Sequence, residues 1–203
     1  MNGYHLDQSQ QNEIWVLGNG ESRTSIDVSK LPRPIIGCNA IHRDLICDFI
    51  VAVDKRMVDE IISNPSYRSI PIYTKPNWLS YYKHNQVRSV PSLPYKGSSK
   101  ADDPWHWTTG PYAVLLASNL NFKKINLVGF DLFGKNHRIN NVYKDTKNYS
   151  SSTKLPVDYS HWIYQLPKIF ECFPEKEYIQ WNTKDWYIPD TWKNIKNLTF
   201  SFF

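Results

Sequence analysis

Short runs of apolar residues recur along this chain, and each is followed by a polar residue or a glycine. The runs cover residues 14–17, 35–37, 49–53, 70–73, 125–130 and 178–181. Each run is too short for a typical helix and suits a buried strand. Helices are predicted between them, near residues 22–30, 55–64, 109–120 and 160–173, with Ser22, Thr109 and Ser160 as N-cap residues. This alternation predicts an α/β fold: a single Rossmann-like domain over residues 1–203, with a mostly parallel sheet flanked by helices.

The residues that follow the apolar runs predict a ligand site at one edge of the sheet. In open parallel sheets, the C-terminal ends of the strands line the ligand crevice. The candidate nucleotide-binding residues at this edge are Gly18, Asn19, Gly20, Ser22, Asn39, Asp54 and Asp131, and Asn182 follows the last run in the same way. Asp54 is suited to accept hydrogen bonds from a ribose. Asp131 either serves the same crevice or caps the turn that follows it.

The glycine turn Gly18-Asn19-Gly20 comes directly after the first predicted strand. Backbone N–H groups of such a turn can approach a phosphate, and the positive end of the next helix would favour the anion. The turn is not the dinucleotide fingerprint, because Arg23 occupies the position of its third glycine, and it is not a P-loop, because no GK[ST] follows. The alternative is a tight turn in which only glycine fits.

A second candidate segment begins the helix predicted over residues 109–120. Thr108, Thr109 and Gly110 offer two hydroxyls and free backbone N–H groups, which suit a phosphate or a carboxylate. The preceding triplet Trp105-His106-Trp107 could stack on a base or a sugar.

Residues 134–159 are polar, basic and poor in aliphatic residues. A loop of this length inside a compact domain is usually a lid or a disordered segment, so we expect a lid here. His161 follows this loop at the start of a predicted helix. An imidazole titrates near neutrality, so a histidine at that place is a candidate general base.

Composition and charge exclude several classes of protein. The net charge is +5, but the lysines and arginines are scattered, so we expect no nucleic-acid partner. No stretch approaches the ~20 apolar residues of a membrane span, and residues 1–13 lack a basic region followed by an apolar run. The three cysteines form no metal motif, and no DxD motif is present. We therefore expect a cytoplasmic protein without a metal site.

Four segments occur in a characteristic order: GNGES, LPRPIIGCN, TTGPYAVLLASNLNFKKINLVGFD and YSH. In order and spacing they resemble the bacterial lipooligosaccharide sialyltransferases, glycosyltransferase family forty-two. The same core is similar to 6-hydroxymethylpterin diphosphokinases and motility accessory glycosyltransferases. Three residues differ from the family's motifs: Glu21 replaces a proline, His106 an arginine and Phe133 a tyrosine.

The resemblance implies inverting transfer of a sugar from a CMP-type nucleotide donor to an acceptor hydroxyl, without a metal or other cofactor. It further implies that Asn19, Gly20 and Ser22 hold the nucleotide phosphate and ribose, and that Asn39 touches the nucleotide. On the donor-sugar side it places His106, Thr108, Thr109 and Gly110. His161 would be the general base. The expected partners are a nucleotide-sugar and a glycan or small hydroxyl acceptor. Whether the protein forms a homo-oligomer stays open.

Two other functions stay open on the sequence. A pterin-type diphosphokinase would need Mg²⁺ and ATP, with Asp54 and Asp131 as its candidate metal ligands. A non-catalytic nucleotide or glycan binder is compatible with the replacements at Glu21, His106 and Phe133. A fold by itself does not decide among these functions.

Overall fold

The computed structural model describes residues 12–83 and 86–203, and eight parallel strands form its central sheet. The strands are β1 (Glu13–Leu17), β2 (Ile35–Cys38), β3 (Phe49–Val51), β4 (Ile72–Thr74), β5 (Val87–Ser89), β6 (Lys124–Val128), β7 (Glu177–Asn182) and β8 (Leu198–Phe202). Their order across the sheet is β5-β4-β3-β2-β1-β6-β7-β8. The predicted α/β fold with a parallel sheet is confirmed.

Four α-helices accompany the sheet: α1 (Lys55–Ile62), α2 (Pro76–Leu79), α3 (Thr109–Asn119) and α4 (Ser160–Cys172). Almost all of α3 is buried, because it is apolar around its whole circumference and packs between the sheet and α4. The predictions of α1, α3 and α4 are confirmed to within about two residues. No described helix has both the length and the apolar character needed to cross a membrane.

The helix predicted over residues 22–30 is wrong. Two short 3₁₀ turns, Glu21–Ser25 and Val28–Lys30, occupy this stretch. Ile26 lies between them in an extended conformation, with φ −130° and ψ 154°. The side chain of Asp27 then accepts a hydrogen bond from the N–H of Ser29 and starts the second turn. Local hydrogen bonds of this kind compete with a continuous helix.

The predicted N-cap residues lie one or two positions too late. The N-caps are Gly20 before the first 3₁₀ turn, Thr108 before α3 and Tyr159 before α4. None of them makes a side-chain capping hydrogen bond. The hydroxyls expected to cap have other partners, because Thr109 Oγ1 donates to Asn39 Oδ1 at 2.9 Å and Ser22 Oγ donates to Asp131.

The apolar pattern did not predict the two edge strands, β5 and β8. β5 is three residues long, and two of them, Arg88 and Ser89, are exposed. In β8, the sequence LTFSF alternates apolar and polar positions, which is the signal that could have identified it.

The order of the strands reverses between β1 and β6, which is where open α/β sheets bind ligands. The register pairs Leu17 with Val128, so Gly18 and Gly129 leave the sheet side by side. A Cβ atom on Gly18 would lie 2.5 Å from the carbonyl oxygen of Gly129, closer than real contacts allow. The two chain segments therefore meet closely at the base of the crevice.

Candidate functional site

A cavity of about 570 Å³ extends along the C-terminal edge of the sheet, a volume typical of small-molecule sites. Residues that follow β1, β2, β3, β4 and β6 line it, together with the start of α3. The predicted site residues that line the cavity are Gly18, Asn19, Gly20, Asn39, Asp54, His106, Thr108, Thr109, Gly110 and Asp131. Ser22 and His161 lie outside the lining.

Most N–H groups of the glycine turn already donate to oxygens of the protein, and among the described residues only the N–H of Asn19 has no acceptor there. The donor–acceptor pairs are Gly18 to the Val128 carbonyl at 2.8 Å, Gly20 to the Gly129 carbonyl at 2.8 Å, Glu21 to Asn140 Oδ1 at 2.8 Å and Ser22 to Asp131 Oδ2 at 2.9 Å. A phosphate cradle needs N–H groups that are free to point at the anion. The turn therefore offers one such group, the N–H of Asn19, and whether a phosphate binds there stays a prediction.

Asp131 reaches from the end of β6 to the glycine turn. Its carboxylate accepts hydrogen bonds from both the N–H and the hydroxyl of Ser22, so this hydroxyl is not free for a nucleotide. Asp131 thus caps the 3₁₀ turn Glu21–Ser25 and not the turn that follows Asp131 itself. Asn182, at the end of β7, lies 3.5 Å from the same carboxylate and does not line the main cavity.

Gly20 makes room for this carboxylate. A Cβ atom on Gly20 would lie 2.4 Å from Cγ of Asp131. The alternative interpretation of the turn, in which only glycine fits, therefore has a direct physical reason. A phosphate bound at Gly20 would also lie beside the negative charge of Asp131, which is unfavourable.

The N-terminus of α3 offers more free N–H donors than the glycine turn. Within residues 12–83 and 86–203, no hydrogen bond uses the N–H of Thr109 or Gly110, and both residues line the cavity. The first N–H groups of a helix together with its dipole favour an anion. Thr109 Oγ1 also holds the side chain of Asn39 at the end of β2 and lies 3.4 Å from the N–H of Val53 after β3. An anion is therefore best accommodated here.

His106 and His161 form an edge-to-face pair beside the cavity, with ring centroids 6.2 Å apart. His106 lines the cavity, and His161 lies behind it in the first turn of α4. Asp158 is the carboxylate nearest in sequence to His161. The pKa of Asp158 is lowered mainly by hydrogen bonds from Ser160 and to a smaller extent by the charge of His161. The two histidines are thus the candidate acid–base groups of the site.

Lys75 is a site residue that the sequence did not reveal. It follows β4, lines the cavity and is only 9% exposed. Its Nζ donates to the carbonyl oxygen of Trp105 at 2.6 Å and lies 5.4 Å from the centroid of that indole ring. Burial lowers the pKa of Lys75, although the charges of Asp54 and Asp103 act in the opposite direction. Its position directly after a strand is the same signal that selected Asn39 and Asp54.

Residues 134–159 contain no helix or strand, and an isolated bridge joins Lys135 to Arg138. The segment is nevertheless attached to the core through Tyr143, which is 5% exposed. Several of its residues also line the cavity, namely Ile139, Asn140, Asn141, Val157 and Tyr159. The segment thus lies where a lid would lie, and its movement stays a prediction.

Arg23 connects this segment to the glycine turn. Its guanidinium is buried and donates to the carbonyl oxygen of Gly18 at 3.2 Å, to Asp44 at 3.1 Å and to the hydroxyl of Tyr143 at 2.9 Å. Tyr143 in turn donates to Asp44 at 2.6 Å. Arg23, which occupies the position of the third glycine of the dinucleotide fingerprint, is therefore a structural anchor.

These features define an α/β protein with a nucleotide-sized cavity at the switch point of a parallel sheet. No family model matches the chain, and no curated protein sequence matches it. Solved sialyltransferase structures do share its fold. Cst-I from Campylobacter jejuni, a monofunctional alpha-2,3-sialyltransferase, has a TM-score of 0.58 at 14% identity, covering 89% of this chain and 79% of that one.

Two structures of a second sialyltransferase give similar values. CstII from Campylobacter jejuni in complex with cytidine-5'-monophosphate has a TM-score of 0.53 at 17% identity, covering 83% of this chain and 79% of that one. CST-II in complex with a trisaccharide acceptor and CMP has a TM-score of 0.55 at 17% identity, with 83% and 80% covered. The resemblance to the sialyltransferases is confirmed for the fold.

We expect Arg23→Met to release the segment 134–159 from the glycine turn. The substitution leaves the Gly18 carbonyl and the Tyr143 hydroxyl without their buried donor, at a cost of about 1–3 kcal/mol for each buried group left unsatisfied. Trypsin should then cleave after Lys144, Lys147 or Lys154 several-fold faster than in the native protein. Arg68→Met is the matched control, because Arg68 is exposed. Equal cleavage rates in all three proteins would show that Arg23 does not anchor the segment.

Proposed function

We propose that this protein is a sialyltransferase-like glycosyltransferase that moves a sugar from a CMP-type nucleotide donor to an acceptor hydroxyl. The observation that carries the proposal is the cavity at the sheet edge. Thr109 and Gly110, with their free N–H groups, line this cavity together with Asn39, whose side chain is hydrogen-bonded to Thr109. The fold supports the proposal, because similar structures contain CMP and, in one case, a trisaccharide acceptor. The proposed reaction inverts the sugar's configuration and uses no metal.

The distribution of polar groups favours one orientation of the donor. Near β1 and β6 the cavity is lined by Asp131, Asn19, Asn140 and Asn141. The amide oxygens of these asparagines already accept hydrogen bonds within the protein, while the NH₂ groups of Asn140 and Asn141 have no acceptor among the described residues and can donate to the oxygens of a base or a ribose. The N-terminus of α3 suits the phosphate. The proposed phosphate position is therefore at Thr109 and Gly110, and not at the glycine turn where the sequence predicted it.

His161 is the proposed general base. Transfer to a hydroxyl requires a group that removes the acceptor's proton as the new bond forms. Trp162 Nε1 donates a hydrogen bond to Thr108 Oγ1, so the first turn of α4 is tied to the donor-sugar side of the cavity. Because His106 lines the cavity and His161 packs against it from outside the lining, His161 would act on an acceptor bound beside His106.

The positions of the two acidic candidates disfavour the diphosphokinase. Asp54 follows β3 and Asp131 follows β6, and these strands lie three positions apart in the sheet. Neighbouring strands are about 4.8 Å apart, so the separation is on the order of 14 Å, too far for both carboxylates to bind one ion. A non-catalytic nucleotide binder is the second candidate, because His161 does not line the cavity.

We expect CMP and CMP-sialic acid to raise the thermal stability of the protein without Mg²⁺. A ligand at 100 times its Kd should stabilise the folded state by ~2.7 kcal/mol. A thermal-shift panel of CMP, UMP, GDP, ATP and CMP-sialic acid, each with and without Mg²⁺, measures this. A response to ATP alone that requires Mg²⁺ would favour the diphosphokinase, and no response to any nucleotide would contradict nucleotide binding altogether.

We expect His161→Ala to lower kcat by a factor of about 10² or more, since general bases typically contribute ~10²–10⁴-fold. The Kd of the donor should change only a few-fold, because His161 faces the acceptor. His137→Ala is the control, because His137 is exposed and outside the cavity lining. The base assignment is wrong if His161→Ala keeps normal turnover in a transferase assay. Loss of activity in His106→Ala alone would assign the role to His106.

A further inference from the structure

Lys75 is the one lysine or arginine that lines the main cavity in the described part of the chain. It lies at the β4 end, away from the acidic Asp131 at the β6 end. Trp78 and Trp105 also line the cavity, and the Trp105 ring lies beside the Lys75 ammonium. The cavity thus has a cation beside an aromatic ring at one end, and the charge of Asp54, which lines the cavity too, acts on this cation without forming an ion pair with it.

The ammonium group of Lys75 is held in place and still has donors to offer. One N–H donates to the Trp105 carbonyl, and an ammonium carries three. Among the described residues, no carboxylate forms an ion pair with it. Burial without a paired anion disfavours the charged form, in agreement with the lowered pKa of Lys75. An anionic ligand would supply the missing partner.

The order of groups along the sheet edge indicates which part of a donor reaches Lys75. The glycine turn follows β1, while Thr109 contacts residues that follow β2 and β3. Lys75 follows β4, three strands from the turn, or on the order of 14 Å at about 4.8 Å per strand. With the nucleoside near β1 and the phosphate at α3, the transferred sugar must extend towards β4.

We infer that Lys75 binds the carboxylate of an acidic sugar carried by the nucleotide donor, and so selects acidic over neutral sugars. This inference rests on the proposed function. Trp105 positions the ammonium through its carbonyl and ring. Trp78 is fixed in the same wall, because its Nε1 donates to the Val53 carbonyl at 2.8 Å. Lys75 is therefore a residue that determines donor specificity and not the base that accepts the proton.

The test is isothermal titration of the native protein and of Lys75→Met with three probes: CMP, CMP-sialic acid and the methyl ester of CMP-sialic acid. We expect Lys75→Met to weaken CMP-sialic acid binding at least tenfold, since a charge-assisted hydrogen bond is lost. Binding of CMP should change less than twofold. The methyl ester carries no carboxylate charge, so its affinity should be the same in both proteins.

Lys30→Met is the control, because the Lys30 side chain is 82% exposed. Lys75→Gln is the second variant if Lys75→Met does not fold, since its amide can still donate to the Trp105 carbonyl. An equal loss of CMP and CMP-sialic acid binding would overturn the inference, because Lys75 would then hold the phosphate. Unchanged binding of CMP-sialic acid would overturn it as well. Failure of the native protein to bind any probe would overturn the proposed function itself. This result differs from the two preceding ones, in which the native protein still binds CMP-sialic acid.

Discussion

The buried guanidinium of Arg23 is the constraint on which the site depends. Burying a charge costs several kcal/mol unless its hydrogen bonds are satisfied. Arg23 is 5% exposed and finds partners in the Gly18 carbonyl, the Asp44 carboxylate and the Tyr143 hydroxyl. These groups belong to the glycine turn, the connection between β2 and β3, and the segment that covers the cavity. One charge therefore joins three parts of the chain that are distant in sequence, together with hydrogen bonds such as those from Glu21 to Asn140 and from Val142 to Asn19.

Hydrogen bonds within the protein also make the two ends of the cavity different. Near β1 and β6, the N–H groups of Gly18, Gly20 and Ser22 and the Ser22 hydroxyl are used by the protein, and Asp131 supplies a negative charge. At the start of α3 and at Lys75, donors and positive charge remain for a ligand. An elongated ligand with an uncharged end and an anionic end fits this division. A nucleotide that carries an acidic sugar is such a ligand.

The inner strands, and the edge of the sheet where the candidate site lies, could be predicted because both follow from short-range patterns. Buried strands appear as apolar runs, and parallel strands bring the residues that follow them to one edge. The edge strands were missed because β5 is short and half exposed. The helix over residues 22–30 was wrong because Ile26 is extended and Asp27 starts a second 3₁₀ turn, while Asp131, more than a hundred positions away, binds the first one.

The roles of Arg23 and Lys75 could not be predicted for a related reason. Both are residue types that usually lie in solvent, and what buries them is packing between distant segments. Arg23 was noticed only as the residue that breaks a glycine fingerprint. Lys75 did follow a strand, but only the structure places the Trp105 ring beside it. Long-range contacts, not local sequence, decide which polar groups are left for a ligand.

If the proposed function is right, a bound nucleotide places its phosphate at the start of α3. A crystal structure of the protein with CMP is the decisive test. We expect phosphate oxygens within about 2.7–3.2 Å of the N–H groups of Thr109 and Gly110, with the base towards Asn19. A phosphate held by the turn Gly18-Asn19-Gly20, with the N-terminus of α3 unused, would contradict it.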